Sequence, residues 1–229
     1  MSVCAILLSY KRPQNIERII KNLIATPNIK HVILSNNNPD IDLSKWFNLQ
    51  QYPIEFIQQA NHEICIKRFE IALSLPYDYF ICPDDDLFLS PKQLETLLDL
   101  AQQDRSKVHG IFGQIKSFND NGFGLFSGVH GVTCEVDILN RVYCFSKEHL
   151  LKMIELIKQL NLKSMGDALH IDDLLISFSG QRHPICHDLG EFEDCPSSLE
   201  VGIATCAEDG FEAIRLATYR RLTEMTSRL

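Results

Sequence analysis

The chain has no C-x-x-C pair among its eight cysteines, and several of these lie inside apolar runs. That absence excludes a zinc ribbon and a dithiol redox motif, so the thiols read as reduced, small hydrophobes. No apolar stretch approaches the roughly 20 residues that a membrane span requires. The first run, Val3 to Leu8, reaches Lys11 and Arg12 at once, too short for a leader core as well. No membrane span is therefore expected, and the cytoplasm is the expected compartment. Basic residues are also scarce: 22 Lys and Arg stand against 30 Asp and Glu, a formal charge of -8. Such a balance disfavours non-specific binding to nucleic acid or anionic lipid, so no nucleic-acid partner is expected. Repeats, low-complexity tracts and linkers are missing too. The 229 residues, 45% hydrophobic, are therefore expected to form one domain with a sizeable core.

What is present centres on Tyr77 to Ser90, YDYFICPDDDLFLS. The apolar run Tyr79 to Cys82 closes at Pro83 and reads as a buried strand whose end presents Asp84, Asp85 and Asp86. Adjacent carboxylates repel unless water, donors or a cation absorb the charge. Two readings stay open. Asp84 and Asp86 hold a divalent metal, Mn2+ or Mg2+, that in turn holds a diphosphate, or the acids form a solvated turn. An aspartyl-phosphatase strand end would need D-x-D-x-T, and Phe88 stands where its Thr would be.

Around this stretch the chain alternates strands and helices. Val3 to Ser9 reads as a strand, Asn15 to Ala25 as an amphipathic helix and His31 to Ser35 as a second strand, a βαβ opening. Open α/β sheets bind ligands beyond the carboxyl ends of their strands, where Ser9-Tyr10-Lys11-Arg12 and Asn36-Asn37-Asn38 fall. Both are also ordinary turn sequences. A third strand, Ile54 to Ile57, leads through Asn61 to a helix carrying Lys67 and Arg68. This basic pair either faces a diphosphate or forms ion pairs with Glu63 and Glu70. Pro91 to Gln103 reads as a helix opened by a Ser90/Gln93 capping box.

Val108 to Ile115 reads as a strand, the glycine-rich Ser117 to Gly131 as a mobile acceptor-side loop, and Val136 to Phe145 as one further strand. Ser146 caps a helix to Leu160. Asp172 and Asp173 then open an apolar helix, where they either complement its dipole or supply a catalytic carboxylate. His187 is a candidate to complete a metal shell begun by Asp86, or a structural histidine. Glu208 to Leu229 reads as the last helix.

Four stretches together resemble nucleotide-sugar glycosyltransferases of the GT-A fold, most closely the exostosin-like transferases. They are Ile6-Leu7-Leu8-Ser9-Tyr10-Lys11-Arg12, Val32-Ile33-Leu34-Ser35-Asn36-Asn37, Asp84-Asp85-Asp86, and Asp172-Asp173-Leu174-Leu175-Ile176-Ser177-Phe178. The resemblance implies an α/β GT-A fold with a mostly parallel central sheet flanked by helices, residues 1–90 forming the nucleotide half and 91–229 the acceptor half. It implies Asp84 at the ribose, Asp85 at the donor sugar, Asp86 on the metal, Lys67 and Arg68 near the diphosphate, and Asp173 as the catalytic carboxylate. The implied partners are a UDP-sugar donor and a glycan or other hydroxyl acceptor. Where that family has an Asn-Arg-x-Arg-Asn-Arg-like segment, this chain keeps only Asn61 and Lys67-Arg68, and Ser177 stands in place of an Asn. Either a retaining or an inverting course remains open, the latter with Asp173 or Asp172 as base. A nucleotidyltransferase would need a glycine-rich basic loop after the first strand, where SYKRPQN has no glycine. A non-catalytic nucleotide- or sugar-binding module is the third reading.

Overall fold

The computed structural model describes residues 2–118, 124–199 and 210–226. Cys206 and, within the glycine-rich stretch, Asn119 to Phe123 lie outside the described residues.

The chain runs β1 (Val3–Ser9), α1 (Pro13–Ile24), β2 (Ile29–Asn36), β3 (Glu55–Gln58), α2 (Lys67–Ser74), β4 (Tyr79–Pro83), β5 (Leu87–Phe88) and α3 (Pro91–Gln103). It continues with β6 (His109–Gly110), β7 (Phe112–Phe118), β8 (Gly124–His130), β9 (Cys134–Glu135), β10 (Ile138–Leu139), β11 (Val142–Ser146) and α4 (Lys147–Gln159). The last elements are α5 (Asp172–Ser177), β12 (Ile185–Cys186), β13 (Glu193–Asp194) and α6 (Phe211–Thr226). The main sheet has the order β3-β2-β1-β4-β11-β6-β12-β9. Its first four strands are parallel, and β11 runs antiparallel to β4.

Every residue of β1 is buried, as a strand covered on both faces requires. Alternation sorts its side chains. Cys4, Ile6 and Leu8 point into a core shared with Phe69, Phe80, Phe145, Leu150, Leu174 and Tyr219. Val3, Ala5 and Leu7 point into a second core with Ile16, Ile20, Leu23, Leu94, Leu97 and Leu98. Helices α2, α4, α5 and α6 thus lie against one face, and α1 and α3 against the other. The mostly parallel sheet flanked by helices is the architecture the motifs implied.

The capping box forms as expected: Ser90 Oγ accepts from Gln93 N, and Gln93 Oε1 accepts from Ser90 N at 2.9 Å. Three expectations fail. Val108 to Ile115 is not one strand, because it breaks at Ile111 into β6, in the main sheet, and β7, in a separate three-stranded sheet. Among its described residues the stretch Ser117 to Gly131 is not loop-rich, because Phe112–Phe118 and Gly124–His130 pair residue for residue as antiparallel strands. Glycines inside it read as breakers, whereas β8, the edge strand of the three-stranded sheet β10-β7-β8, accepts Gly128, where little packs on the strand. Nor is Val136 to Phe145 one strand. It breaks at Asn140-Arg141, where Arg141 adopts a φ of 68°, and β10 and β11 join different sheets.

Candidate active site

The turns after β1 and β2 are tied to each other at one edge of the sheet. Asn37 N donates to Ser9 O at 2.8 Å, and Asn38 Nδ2 donates to Tyr10 O at 2.9 Å. Asn36 Nδ2 donates to Ile41 O at 2.7 Å and to Gln58 Oε1 at 3.0 Å, while Asn37 Oδ1 accepts from Ser35 Oγ at 2.7 Å. These buried asparagines therefore use their amides to shape the turns. Ser9 Oγ is buried with no hydrogen-bond partner among the described residues.

β4 ends beside them, and the acid triplet meets three guanidinium groups. Arg68 Nη1 donates to Asp84 Oδ1 at 2.6 Å. Arg12 Nη1 donates to Asp85 Oδ1 at 2.8 Å, and its Nη2 stands 3.3 Å from Asp86 Oδ2. Arg141 Nη2 donates to Asp86 Oδ1 at 3.0 Å. Tyr10 N and Asn15 Nδ2 add bonds to the Asp85 carboxylate and carbonyl at 3.3 and 2.8 Å. Three charges of each sign thus balance, which is how adjacent carboxylates are tolerated here. Burial, opposed by Arg12 and reinforced by Asp86 and Asp84, pushes the Asp85 carboxyl up to about 6. Burial and Asp84 also raise Asp86, against the pull of Arg141 and Arg12.

Arg141 had no sequence signal, because it lay within an apparently continuous strand. Its left-handed backbone is costly for a residue with a side chain. The conformation is held by Asp84 N, which donates to Arg141 O at 2.7 Å, and by the pairing of Val142 with Pro83. Arg141 also bonds Asp194 at 2.9 Å. The segment carrying Asp194 runs along the triplet: Cys195 N donates to Asp86 O at 2.9 Å, and Arg12 Nε donates to Ser197 Oγ at 2.9 Å.

Asp172 stands at the start of α5, within electrostatic reach of Arg68 and Asp84. Burial and Asp173 push its carboxyl up to about 7, Arg68 opposing and Asp84 adding. Cys65 belongs to the same neighbourhood. It is exposed, yet crowding, then Asp172, with Arg68 opposing and Asp84 and Asp85 adding, pushes its thiol up to about 12. Asp172, Arg68, Asp84 and Cys65 thus lie within electrostatic reach of one another. Asp173 turns away, and both of its carboxylate oxygens accept from Arg215 Nη1.

The remaining candidates lie apart from the triplet's hydrogen bonds. Lys67 forms ion pairs with Glu63 at 3.2 Å and Glu70 at 3.0 Å, so the basic pair is split: only Arg68 reaches an acid of the triplet. Lys11 holds its ammonium over the Tyr10 ring at 5.3 Å, and Asn61 is exposed. His187 stacks on His109, with Nε2 2.9 Å from His109 Nδ1. Burial, His109 and Lys107 push it down to about 4.

Among the described residues, no three His, Cys, Asp or Glu side chains form a cluster able to hold a metal. Asp84 and Asp86 fit another mode of binding. A hard cation such as Mg2+ takes one or two carboxylates and completes its shell with water and substrate phosphates. A bare cation would meet a triplet already neutralised by arginine. One arriving with a diphosphate would bring the anions to which those guanidiniums can turn.

No curated protein sequence matches the chain. Among solved structures, CMP:2-keto-3-deoxy-manno-octonic acid synthetase complexed with CTP is similar, with a TM-score of 0.54 at 12% identity. That superposition covers 96% of this chain and 100% of the synthetase chain, a likeness of fold alone. The α/β architecture is that of a GT-A-like nucleotide-diphospho-sugar transferase domain. Residues 4–128 match the model named Glycosyl transferase family 2; the exostosin-like resemblance rests on the motifs alone. That match takes in β1, the acid triplet, Arg12 and Arg68, and spans more than half of the sequence; the chain belongs to Glycosyl transferase family 2.

Proposed function

We propose that this protein transfers a sugar from a nucleoside diphosphate donor, a UDP-sugar, to a hydroxyl of a glycan or another acceptor, with Asp172 as general base. The observation that carries the reading is the acid triplet at the end of β4, ringed by Arg12, Arg68 and Arg141, with the Asp172 carboxyl within electrostatic reach of Arg68 and Asp84. Residues 1–90 would supply the donor side, and 91–229 the acceptor side. The turns at Ser9-Tyr10 and Asn36-Asn37 would border the nucleoside.

Asp84 and Asp86 would hold the cation, which when bound, as Mn2+ or Mg2+, neutralises charge on the departing diphosphate. Arg12, Arg68 and Arg141 would exchange carboxylate partners for phosphate oxygens. The acceptor oxygen forms its bond to the anomeric carbon as the bond to the diphosphate breaks. The diphosphate keeps that electron pair, and Asp172 receives the acceptor's proton. A carboxyl pushed up to about 7 is matched to such a task near neutral pH. A general base on the acceptor favours inversion over the retention that the exostosin-like resemblance would imply. Proton NMR of the product's anomeric centre distinguishes the two.

Thermal shift tests the donor site. UDP with Mn2+ should stabilise the protein, UDP in EDTA should do so far less, and Mn2+ alone should do little. Asp86→Ala should abolish the metal-dependent part. Equal stabilisation by UDP in EDTA would sink the metal-bridged diphosphate. Pyrophosphate release from a nucleoside triphosphate and a sugar phosphate would instead identify a nucleotidyltransferase. Binding without turnover of any donor would leave a non-catalytic module.

A further inference from the structure

We infer that Arg215, on the last helix, is the positioning residue of this site: it captures Asp173 and the turn before α5, leaving Asp172 as the carboxylate of the pair with no hydrogen-bond partner among the described residues. The inference rests on the transferase reading but concerns residues far beyond those matched by the family model.

Arg215 is 2% exposed. Its Nη1 donates to both oxygens of Asp173 and to His170 O at 3.3 Å, and its Nη2 donates to Gln114 Oε1 at 2.7 Å. The guanidinium also lies over the rings of Phe211, at 4.9 Å, and Phe126, at 5.7 Å. One side chain thus joins α6, β7 and the entrance to α5. His170 holds a left-handed φ of 72° there, a conformation that persists only where surrounding contacts impose it. Neighbouring residues on a helix project about 100° apart. Fixing Asp173 and the His170 carbonyl on Arg215 therefore fixes the backbone from which Asp172 projects, and it does so from a residue bonded to neither Asp84 nor Asp86.

A purely structural role is the weaker account. Helix α6 buries Arg215, Tyr219 and Leu222, so an apolar residue in place of the arginine would anchor it without the cost of desolvating a guanidinium. Arg215 Nε is also buried without a partner among the described residues, so the side chain is placed for its Nη contacts at the expense of its Nε.

The test uses Arg215→Gln, Arg215→Lys and the double variant Asp173→Asn/Arg215→Gln, which removes both charges and so leaves no unpaired ion in the core. Each fold is checked by thermal melting. For Arg215→Gln and the double variant, kcat should fall about a hundredfold while donor KM and the UDP/Mn2+ thermal shift hold, with Arg215→Lys recovering part of the loss. Carboxyl 13C NMR on the nucleotide-free protein should show Asp172 titrating at higher pH in Arg215→Gln, because Asp173 loses its counter-charge and Asp172 loses the direct pull of Arg215. A folded double variant with the parent kcat, or an Asp172 titration that Arg215→Gln leaves in place, overturns the inference. A moved titration in a protein that transfers no sugar from any donor refutes the transferase reading instead.

Discussion

A carboxylate becomes useful when its neighbours leave it free, and Asp172 and Asp173 divide on that basis. Asp173 is tied to Arg215, whereas Asp172 is raised to about 7 by burial and by Asp173. A base must be deprotonated to act, so turnover should fall as pH drops below about 7. Asp172→Asn should lower kcat by roughly 10²- to 10⁴-fold while keeping the UDP/Mn2+ thermal shift. A parent-like rate in that variant would remove Asp172 from the chemistry. The opposite sign holds for His187. Its ordinary value of 6.5 falls to about 4 on folding, so the native state binds fewer protons than the unfolded chain in that window. Its stabilising contribution is complete above about pH 6.5 and is lost as pH falls toward 4, up to about 3 kcal/mol. In calorimetry, His187→Phe should therefore flatten the acid side of the melting profile. The gap in Tm between parent and variant should narrow from pH 7 to pH 4.5, and parallel profiles would contradict this. The carboxylates of the triplet titrate in both proteins and cancel in the difference.

Among the elements, those set by local chemistry match their sequence signals. Helix α3 begins at Pro91 and ends at Gln103, the bounds its capping box and leucine spacing indicate. Ser90→Ala removes the acceptor for Gln93 N and should cost about 1 kcal/mol, a fall in Tm of about 2–4 °C by calorimetry. An unchanged Tm would mean that the box is redundant with the packing of Leu94, Leu97 and Leu98. Elements set by pairing were harder to read. The ribbon β7–β8 was hidden by its glycines, because strand character there comes from the partner strand and not from propensity. The break at Arg141 was hidden by the apolar residues on both sides of it. Local sequence carries no mark of a residue held left-handed by a bond from Asp84.

For the molecule as a whole, the sheet with a core on each face is what brings separate stretches together. Phe69 makes the connection between packing and site: it is fully buried on α2, next to Arg68, with its ring 5.9 Å from Tyr143 and 5.4 Å from Phe145. Phe69→Ala should cost about 3–5 kcal/mol in denaturant unfolding, because the rigid strands beneath can close little of the cavity. A cost below about 1 kcal/mol would show that the layer beneath α2 relaxes freely. No described helix is long and apolar enough to cross a membrane.

The sequence by itself determined the order of strands and helices from β1 to α3, the end of β4 at the triplet, and the turns that collect at the edge of the sheet. Apolar periodicity and turn residues act over a few positions, so they can be read locally. Only the tertiary structure decided which charges meet. It gave Asp84 to Arg68, Asp85 to Arg12 and Asp86 to Arg141, left Lys67 to Glu63 and Glu70, set His187 on His109, and tied Asp173 to Arg215. Those pairings join residues up to 78 positions apart, and an ion pair depends on distance in space and on the water excluded around it, neither of which is written in the order of the residues.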